Sequence, residues 1–229
     1  VSIPGGAERA RRTFNPLLGI EGGLSVLGTS GVVEPMSEQA IVDTIGVELR
    51  QAFCACPQGR LILTPGNYGA DFLAANGLDA LGVPVVRCSN FIGEALDMAA
   101  AEGFSAVLLV GHIGKLVKLA GGIMNTHSRS ADCRTELFCA HAAAAGASTA
   151  LCRALLDAPT TDACIALLDT AGLRAAVLDS LTAAAQRHLE RRAAGAYRVG
   201  VELFSNEYGP LGASPAALEL IGQWRNDRQ

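Results

Sequence analysis

No apolar run in the 229-residue chain approaches the ~20 residues that a membrane-spanning helix needs. The longest, such as residues 106–110, are short, and the alanine-rich stretch 140–147 is broken by His141 and Gly146. A membrane location is therefore not expected. The opening residues 1–6 lack a charged segment followed by an apolar one, so no secretory leader is expected and a cytoplasmic setting is the simplest. Charge is sparse, at 17% of residues, and the 18 basic and 22 acidic residues are scattered to a net −4. Without a basic stripe to neutralise a phosphate backbone, nucleic acid is not an expected partner. Zinc-type cysteine spacing is also missing. Cys54 and Cys56 are one residue apart, no second pair follows, and the seven cysteines read as small buried thiols rather than metal ligands. No loop carries the full dinucleotide fingerprint G-x-G-x-x-G or a phosphate loop ending in Gly-Lys-Ser/Thr; residues 111–115 are a weak echo.

What the chain does have is apolar material, at half of its residues, enough for one substantial core or two small ones. Five short β-branched or leucine-rich runs, at residues 24–27, 61–64, 83–87, 106–110 and 199–204, read as buried strands. Helical patterns follow most of them, notably 36–51, 91–102 and 134–145. This alternation predicts an α/β fold, an open, mostly parallel sheet with helices on both faces. Between 126 and 194 the pattern turns alanine- and leucine-rich, with breaks near Pro159 and Gly172. The expected organisation is an α/β ligand-binding domain from 1–125 and 195–229, with 126–194 as a helical sub-region. Thr160-Thr161-Asp162 and Ser214-Pro215 read as helix starts.

Each proposed strand ends in residues suited to holding a ligand. The loops are Gly28-Thr29-Ser30-Gly31, Gly66-Asn67-Tyr68-Gly69, Ser89-Asn90-Phe91-Ile92-Gly93-Glu94, Gly111-His112-Ile113-Gly114-Lys115 and Ser205-Asn206-Glu207-Tyr208-Gly209. In an open α/β sheet such loops converge beyond the carboxyl ends of the strands, where ligands bind. Glycine and asparagine also make ordinary strand-to-helix turns, which accounts for any one loop. As a set, their polar groups are costly to bury without partners, and a ligand explains them better. With no pyrophosphate cradle, S-adenosylmethionine fits better than NAD or ATP, with Glu94 or Glu207 able to serve its ribose; a solvated helix-start glutamate is the equal alternative. A second cluster runs from Lys115 and Lys118 to Asn125-Thr126-His127-Ser128-Arg129, Asp132 and Arg134. It suits a polycarboxylate, with Arg129 able to grip one carboxylate through two bonds. The plainer reading is a helix capped by Thr126 or Ser128 with solvated charges around it.

The stretch Gly28-Thr29-Ser30-Gly31-Val32-Val33-Glu34-Pro35-Met36-Ser37-Glu38, residues 65–72, 89–96, 111–129 and 204–214 resemble the cobalt-precorrin-5B methyltransferase family of the anaerobic cobalamin pathway. The block from Gly111-His112-Ile113-Gly114-Lys115 through Asn125-Thr126-His127-Ser128-Arg129 is its most specific part. The resemblance implies methyl transfer from S-adenosylmethionine to ring carbon 1 of a cobalt-bound corrinoid, giving cobalt-precorrin-6A and S-adenosylhomocysteine. The cobalt belongs to the substrate. It also implies a further N-terminal region with its own glycine- and threonine-rich motif, without counterpart before Val1, so the chain is expected to correspond to the family's C-terminal portion. That region, or other pathway enzymes, would be its protein partners.

On this reading Gly28, Thr29, Ser30 and Gly31, with Asn67, Tyr68, Asn90, Glu94, Gly111 and His112, are the candidate cofactor-binding residues. Lys115, Lys118, Asn125, Ser128, Arg129, Asn206 and Glu207 are candidates for the substrate. His127 is the candidate to accept a proton or orient the corrinoid, against the equal alternative of a histidine bonded to its own loop. A non-catalytic corrinoid-binding or scaffold module is the rival reading. A nicotinamide-dependent oxidoreductase is a second, disfavoured by the missing fingerprint.

Overall fold

The computed structural model describes residues 3–13, 21–24 and 37–228. A short helix, α1 (Gly6–Ala10), precedes α2 (Glu38–Ala55). Then come β1 (Arg60–Thr64), α3 (Tyr68–Ala75), β2 (Val85–Arg87), α4 (Ile92–Glu102) and β3 (Ala106–His112). β3 runs directly into the single turn α5 (Ile113–Leu116) and a 3-10 turn at Val117–Gly121. Four consecutive helices follow, α6 (Arg134–Ala144), α7 (Thr149–Leu156), α8 (Thr161–Thr170) and α9 (Arg174–Ala193). β4 (Arg198–Ser205), β5 (Gly209–Ala213) and α10 (Pro215–Asn226) complete the fold.

The sheet order is β2-β1-β3-β4-β5, with the first four strands parallel and β5 antiparallel to β4. Side chains alternate between its two faces, as the period of two dictates. Leu61, Leu63, Val107, Leu109, Val199, Val201 and Leu203 face a core shared with α2, α4 and α9. Ile62, Leu108, Val110 and Phe204 face the other way, onto Phe72 and Leu73 of α3 and Leu220, Ile221 and Trp224 of α10. Phe138, Leu155, Ile165 and Leu168 of α6 to α8 join the first of these cores, so the four-helix stretch packs on the same apolar mass as the sheet. The α/β architecture with helices on both faces is as expected.

Local signals explain the boundaries. Ser37 caps α2 by accepting from Ala40 N, and the helix buries Ile45, Leu49 and Ala52 at helical spacing. Thr160 caps α8 and Ser214 caps α10, with Pro215 in its first turn. Two details differ from the sequence reading. β5 was not foreseen, because Gly209-Pro210-Leu211-Gly212-Ala213 has none of the residues that favour strands; as the sheet edge, it tolerates a proline with no N–H to donate. The cysteines are not uniformly buried either: Cys54, near the end of α2, and Cys133, ahead of α6, are exposed. The proposed strand at 24–27 lies, beyond Leu24, outside the described residues, as do Gly28, Thr29, Ser30 and Gly31. Among the described residues, no helix is long and apolar enough to cross a membrane, and no group of three or more His, Cys, Asp or Glu could hold a metal.

Close packing of β4 on α10 needs a glycine. A Cβ at Gly200 would stand 2.5 Å from both Cα and N of Ala217 in the first turn of α10. Backbone cannot move aside as a side chain can. Gly200→Ala should therefore cost about 1–3 kcal/mol, read as a lower urea midpoint at unchanged slope. An unchanged midpoint would show that α10 shifts freely.

Candidate functional site

Because β1 to β4 are parallel, their carboxyl ends at Thr64, Arg87, His112 and Ser205 lie on one edge of the sheet. After β1, Gly66 takes a left-handed turn (φ +89°) into Asn67 and α3; Asn67 is at the cap position but makes no side-chain cap bond. After β2, Ser89 is itself left-handed, with φ 52°. That conformation costs a residue with a Cβ about 1 kcal/mol and marks a turn held in place by its surroundings. After β3 the chain passes through His112 into α5, and after β4 through Ser205 into Asn206, Glu207 and Tyr208.

Asn90 ties these loops together. Its side-chain oxygen accepts from Lys115 Nζ at 2.8 Å and from Thr126 Oγ1 at 3.2 Å, while its carbonyl accepts from Thr126 N at 2.9 Å. Phe91 and Asn125 form an isolated antiparallel bridge, and Gly93 N donates to Met124 O. Residues 124–126 are thereby laid along the turn between β2 and α4. Beyond them, Asn125 Oδ1 accepts from His127 N at 3.0 Å, and His127 Nδ1 accepts from Arg129 N at 3.1 Å. Ser128 and Arg129 are exposed. Beneath this segment Lys118 is only 2% exposed; its Nζ donates to the carbonyls of Thr126 at 3.1 Å and Ala131 at 2.7 Å and lies 3.8 Å from Asp132. Burial lowers the Lys118 pKa, with Asp132 pulling the other way.

Lys115 is different. Its ammonium is half-buried against Gly66, where a Cβ would lie 3.5 Å from Nζ, and among the described residues no carboxylate comes within ion-pair distance. Burial depresses its pKa, with Cys88 raising and Lys118 lowering it further.

His112 caps α5 by accepting from Gly114 N at 3.0 Å through Nδ1, so its neutral ring carries the proton on Nε2. The ring stands edge-on to Phe204, with centroids 5.7 Å apart, and 6.1 Å from the exposed Tyr68. Burial lowers the His112 pKa, opposed by Asp162 at the start of α8. Asp162 in turn accepts from Ser205 Oγ at 2.7 Å, and Ser205 Oγ accepts from Glu207 N at 3.0 Å, which links α8 to the loop after β4. A histidine with a folded-state pKa below its unfolded value contributes stability that is complete above the unfolded value. That contribution is lost as pH falls through it, because the unfolded chain protonates first. Protonating Nδ1 also removes the cap. His141 has a lowered pKa too, so the comparison must be between proteins. From pH 7.5 to 5, His112→Asn should lose less urea stability than the parent, while sitting about 1 kcal/mol lower at pH 7.5 if its cap is imperfect. Parallel pH curves would contradict this.

Between α2 and the ends of β1 and β2 lies a cleft of about 310 Å³, lined by Ala40, Ile41, Thr44, Ile45, Glu48, Gly66, Asn67, Arg87 and Ser89. Burial raises the Glu48 pKa, with the Arg87 charge working against it.

Of the candidates from sequence, Asn67, Tyr68, Asn90, His112, Lys115, Asn206 and Glu207 lie along this one edge, and Asn125 and His127 are tied to it through Thr126. Gly111 serves packing: a Cβ there would meet Leu116 and Pro65 at 2.9 Å. Glu94 is half-buried in the first turn of α4. Lys118 sits under the loop, not on its surface. Neither Thr126 nor Ser128 caps a helix; α6 begins only at Arg134, and Thr126 is turned to Asn90. Sequence reasoning placed Ser89 in a ligand loop but missed the rest of the polar cleft wall, Thr44, Glu48 and Arg87, since Thr44 and Glu48 read as the solvent side of α2. It also read Asp162 only as a helix start.

A sheet of order β2-β1-β3-β4-β5, with polar loops and an unneutralised lysine at the carboxyl ends of its parallel strands, defines a doubly wound α/β protein, the class in which that edge is where ligands bind. Two family models match, "CbiD" over residues 1–35 and "CbiD, C-terminal domain" over residues 125–215, and the chain belongs to this family. It is 45% identical over 209 residues to the cobalt-precorrin-5B C(1)-methyltransferase of Ruminiclostridium cellulolyticum, covering 90% of this chain and 53% of that protein. Identity to the like-named proteins is 40% in Alkaliphilus metalliredigens, covering 96% and 58%, and 41% in Moorella thermoacetica, covering 100% and 62%. The chain thus spans between half and two thirds of the length of these relatives. No solved structure matches.

Proposed function

We propose that the chain takes part in transferring a methyl group from S-adenosylmethionine to ring carbon 1 of cobalt-precorrin-5B, giving cobalt-precorrin-6A and S-adenosylhomocysteine, as the names of its relatives suggest. The observation that carries the reading is the gathering of four polar loops at one sheet edge, joined through the Asn90 hydrogen bonds to Lys115 and Thr126. These residues fit such a donor. Left-handed turns at Gly66 and Ser89 bend the chain back around the crevice, and the Lys115 ammonium is available to an anionic group. Bound there, S-adenosylmethionine would supply a methyl already activated by its sulfonium.

The protein's part is then orientation and exclusion of water, worth several powers of ten when the reacting atoms are aligned. Asn90 and Thr126 fix the 124–126 segment over the edge, and Lys118 supports the loop from below. Exposed Ser128 and Arg129 would meet the corrinoid's carboxylate side chains, with Asn206 and Glu207 on the far side of the crevice. His127 would orient the macrocycle by donating from Nε2–H, since Nδ1 accepts from Arg129 N, or would accept a proton on Nδ1 once that atom releases Arg129 N. Residues 1–125 and 195–229 form the ligand-binding part in this reading, and 126–194 the helical sub-region. The setting is cytoplasmic, and the partner is the cobalt-corrinoid substrate, with other enzymes of the pathway as protein partners.

The test is single-turnover methylation of cobalt-precorrin-5B by the chain with labelled S-adenosylmethionine, followed by mass spectrometry. Label at ring carbon 1 is expected, with His127→Ala at least about tenfold slower. An unlabelled corrinoid would overturn the reading; an unchanged rate in the variant would remove His127 from it.

A further inference from the structure

The methyl donor has two chemically distinct ends, a flat adenosine and a charged amino acid, and the crevice offers a distinct place for each. The cleft beside α2 is walled by Ala40, Ile41 and Ile45, with the polar groups of Glu48 and Ser89 also in its lining. A flat heterocycle suits apolar walls, while ribose hydroxyls and an exocyclic amine need a few placed polar partners. At about 310 Å³ the space is of small-ligand size and cannot enclose a tetrapyrrole.

The cleft leads to a cation. Gly66 lines it and also lies against Lys115, whose Nζ is 3.5 Å from where a Gly66 Cβ would be. Lys115 is held by one side-chain hydrogen bond, to Asn90, and among the described residues has no carboxylate partner. The cavity at the opposite end of the sheet, beside Tyr197 and Arg198, offers no comparable pairing, because Arg198 is already bonded to Glu219. Resting on the methyl-transfer reading above, we propose that the α2 cleft receives the adenosine of the donor and that Lys115 binds the carboxylate of its amino-acid end. This assigns Thr44, Glu48 and Ser89 to the donor and moves Lys115 from the corrinoid to the donor.

Two probes separate the ends. S-adenosylhomocysteine carries both, and 5′-methylthioadenosine lacks the amino acid. Calorimetry on the chain should show both binding, the first more tightly. Thr44→Trp, which fills the cleft from a half-exposed position, should weaken both by about tenfold or more. Lys115→Met should weaken S-adenosylhomocysteine about tenfold or more and leave 5′-methylthioadenosine unchanged, because only the former has the carboxylate. Ile41→Trp, on the same wall, replaces Thr44→Trp if circular dichroism shows the latter unfolded. Parent-like affinity in the folded cleft variant, or equal weakening of both probes by Lys115→Met, would overturn the assignment while methylation by the parent chain upholds the reaction. A parent chain that binds neither probe and transfers no methyl would overturn both.

Discussion

Changing Asn90 to alanine is expected to slow the proposed methyl transfer about 100-fold while lowering stability by only about 1 kcal/mol. The asymmetry follows from what the side chain holds. Its oxygen accepts from Lys115 and Thr126, and without it both donors are free to turn away from the crevice. The backbone bond from Thr126 N to the Asn90 carbonyl and the bridge between Phe91 and Asn125 do not depend on the side chain, so the segment stays attached but loses its alignment. Misplacement of this kind is costly to a reaction that relies on orientation and cheap to the fold. Single-turnover rates beside urea midpoints check the point. A rate loss no larger than the stability loss implies would mean that Asn90 is only a turn residue.

Lys118→Met should have the largest effect on stability. Methionine keeps much of the apolar length but removes both bonds from Nζ, leaving the carbonyls of Thr126 and Ala131 without their buried donor. Each orphaned group costs about 1–3 kcal/mol, so a loss of about 2–4 kcal/mol is expected if the loop partly rehydrates. Asp132 keeps its partner Arg134, at 3.0 Å, which limits the damage on the solvent side. Urea unfolding gives the magnitude, and hydrogen exchange should show faster exchange concentrated in residues 125–132. An unchanged midpoint with unchanged exchange would show that the loop does not depend on the lysine.

The strands that are unbroken apolar runs, such as Leu61-Ile62-Leu63 and Val107-Leu108-Leu109-Val110, were legible because a parallel sheet covered on both faces makes every position apolar. The gathering of the loops then follows from strand direction alone. Four features were not legible, each for a physical reason. β5 pairs through its backbone against β4, and its glycines and proline carry no strand signal. The Asn90 bonds to Lys115 and Thr126 join residues 25 and 36 positions apart, a separation that local patterns do not encode. Lys118 reads as a surface lysine because lysines are almost never fully buried unless paired, and its partners are backbone carbonyls with no side-chain identity to notice. The cleft wall was hidden for a related reason: Thr44 and Glu48 of α2 look like the solvent side of an amphipathic helix until β2 is placed beside them.

Amide chemical-shift mapping during titration with S-adenosylhomocysteine bears most directly on the idea that the donor sits where the parallel strands end. Perturbations should cluster at residues 64–69, 87–91 and 111–115, with smaller ones in the first two turns of α2. Shifts centred on the opposite end of the sheet, around Arg60, Ala106 and Arg198, or no shifts at saturating ligand, would contradict the account.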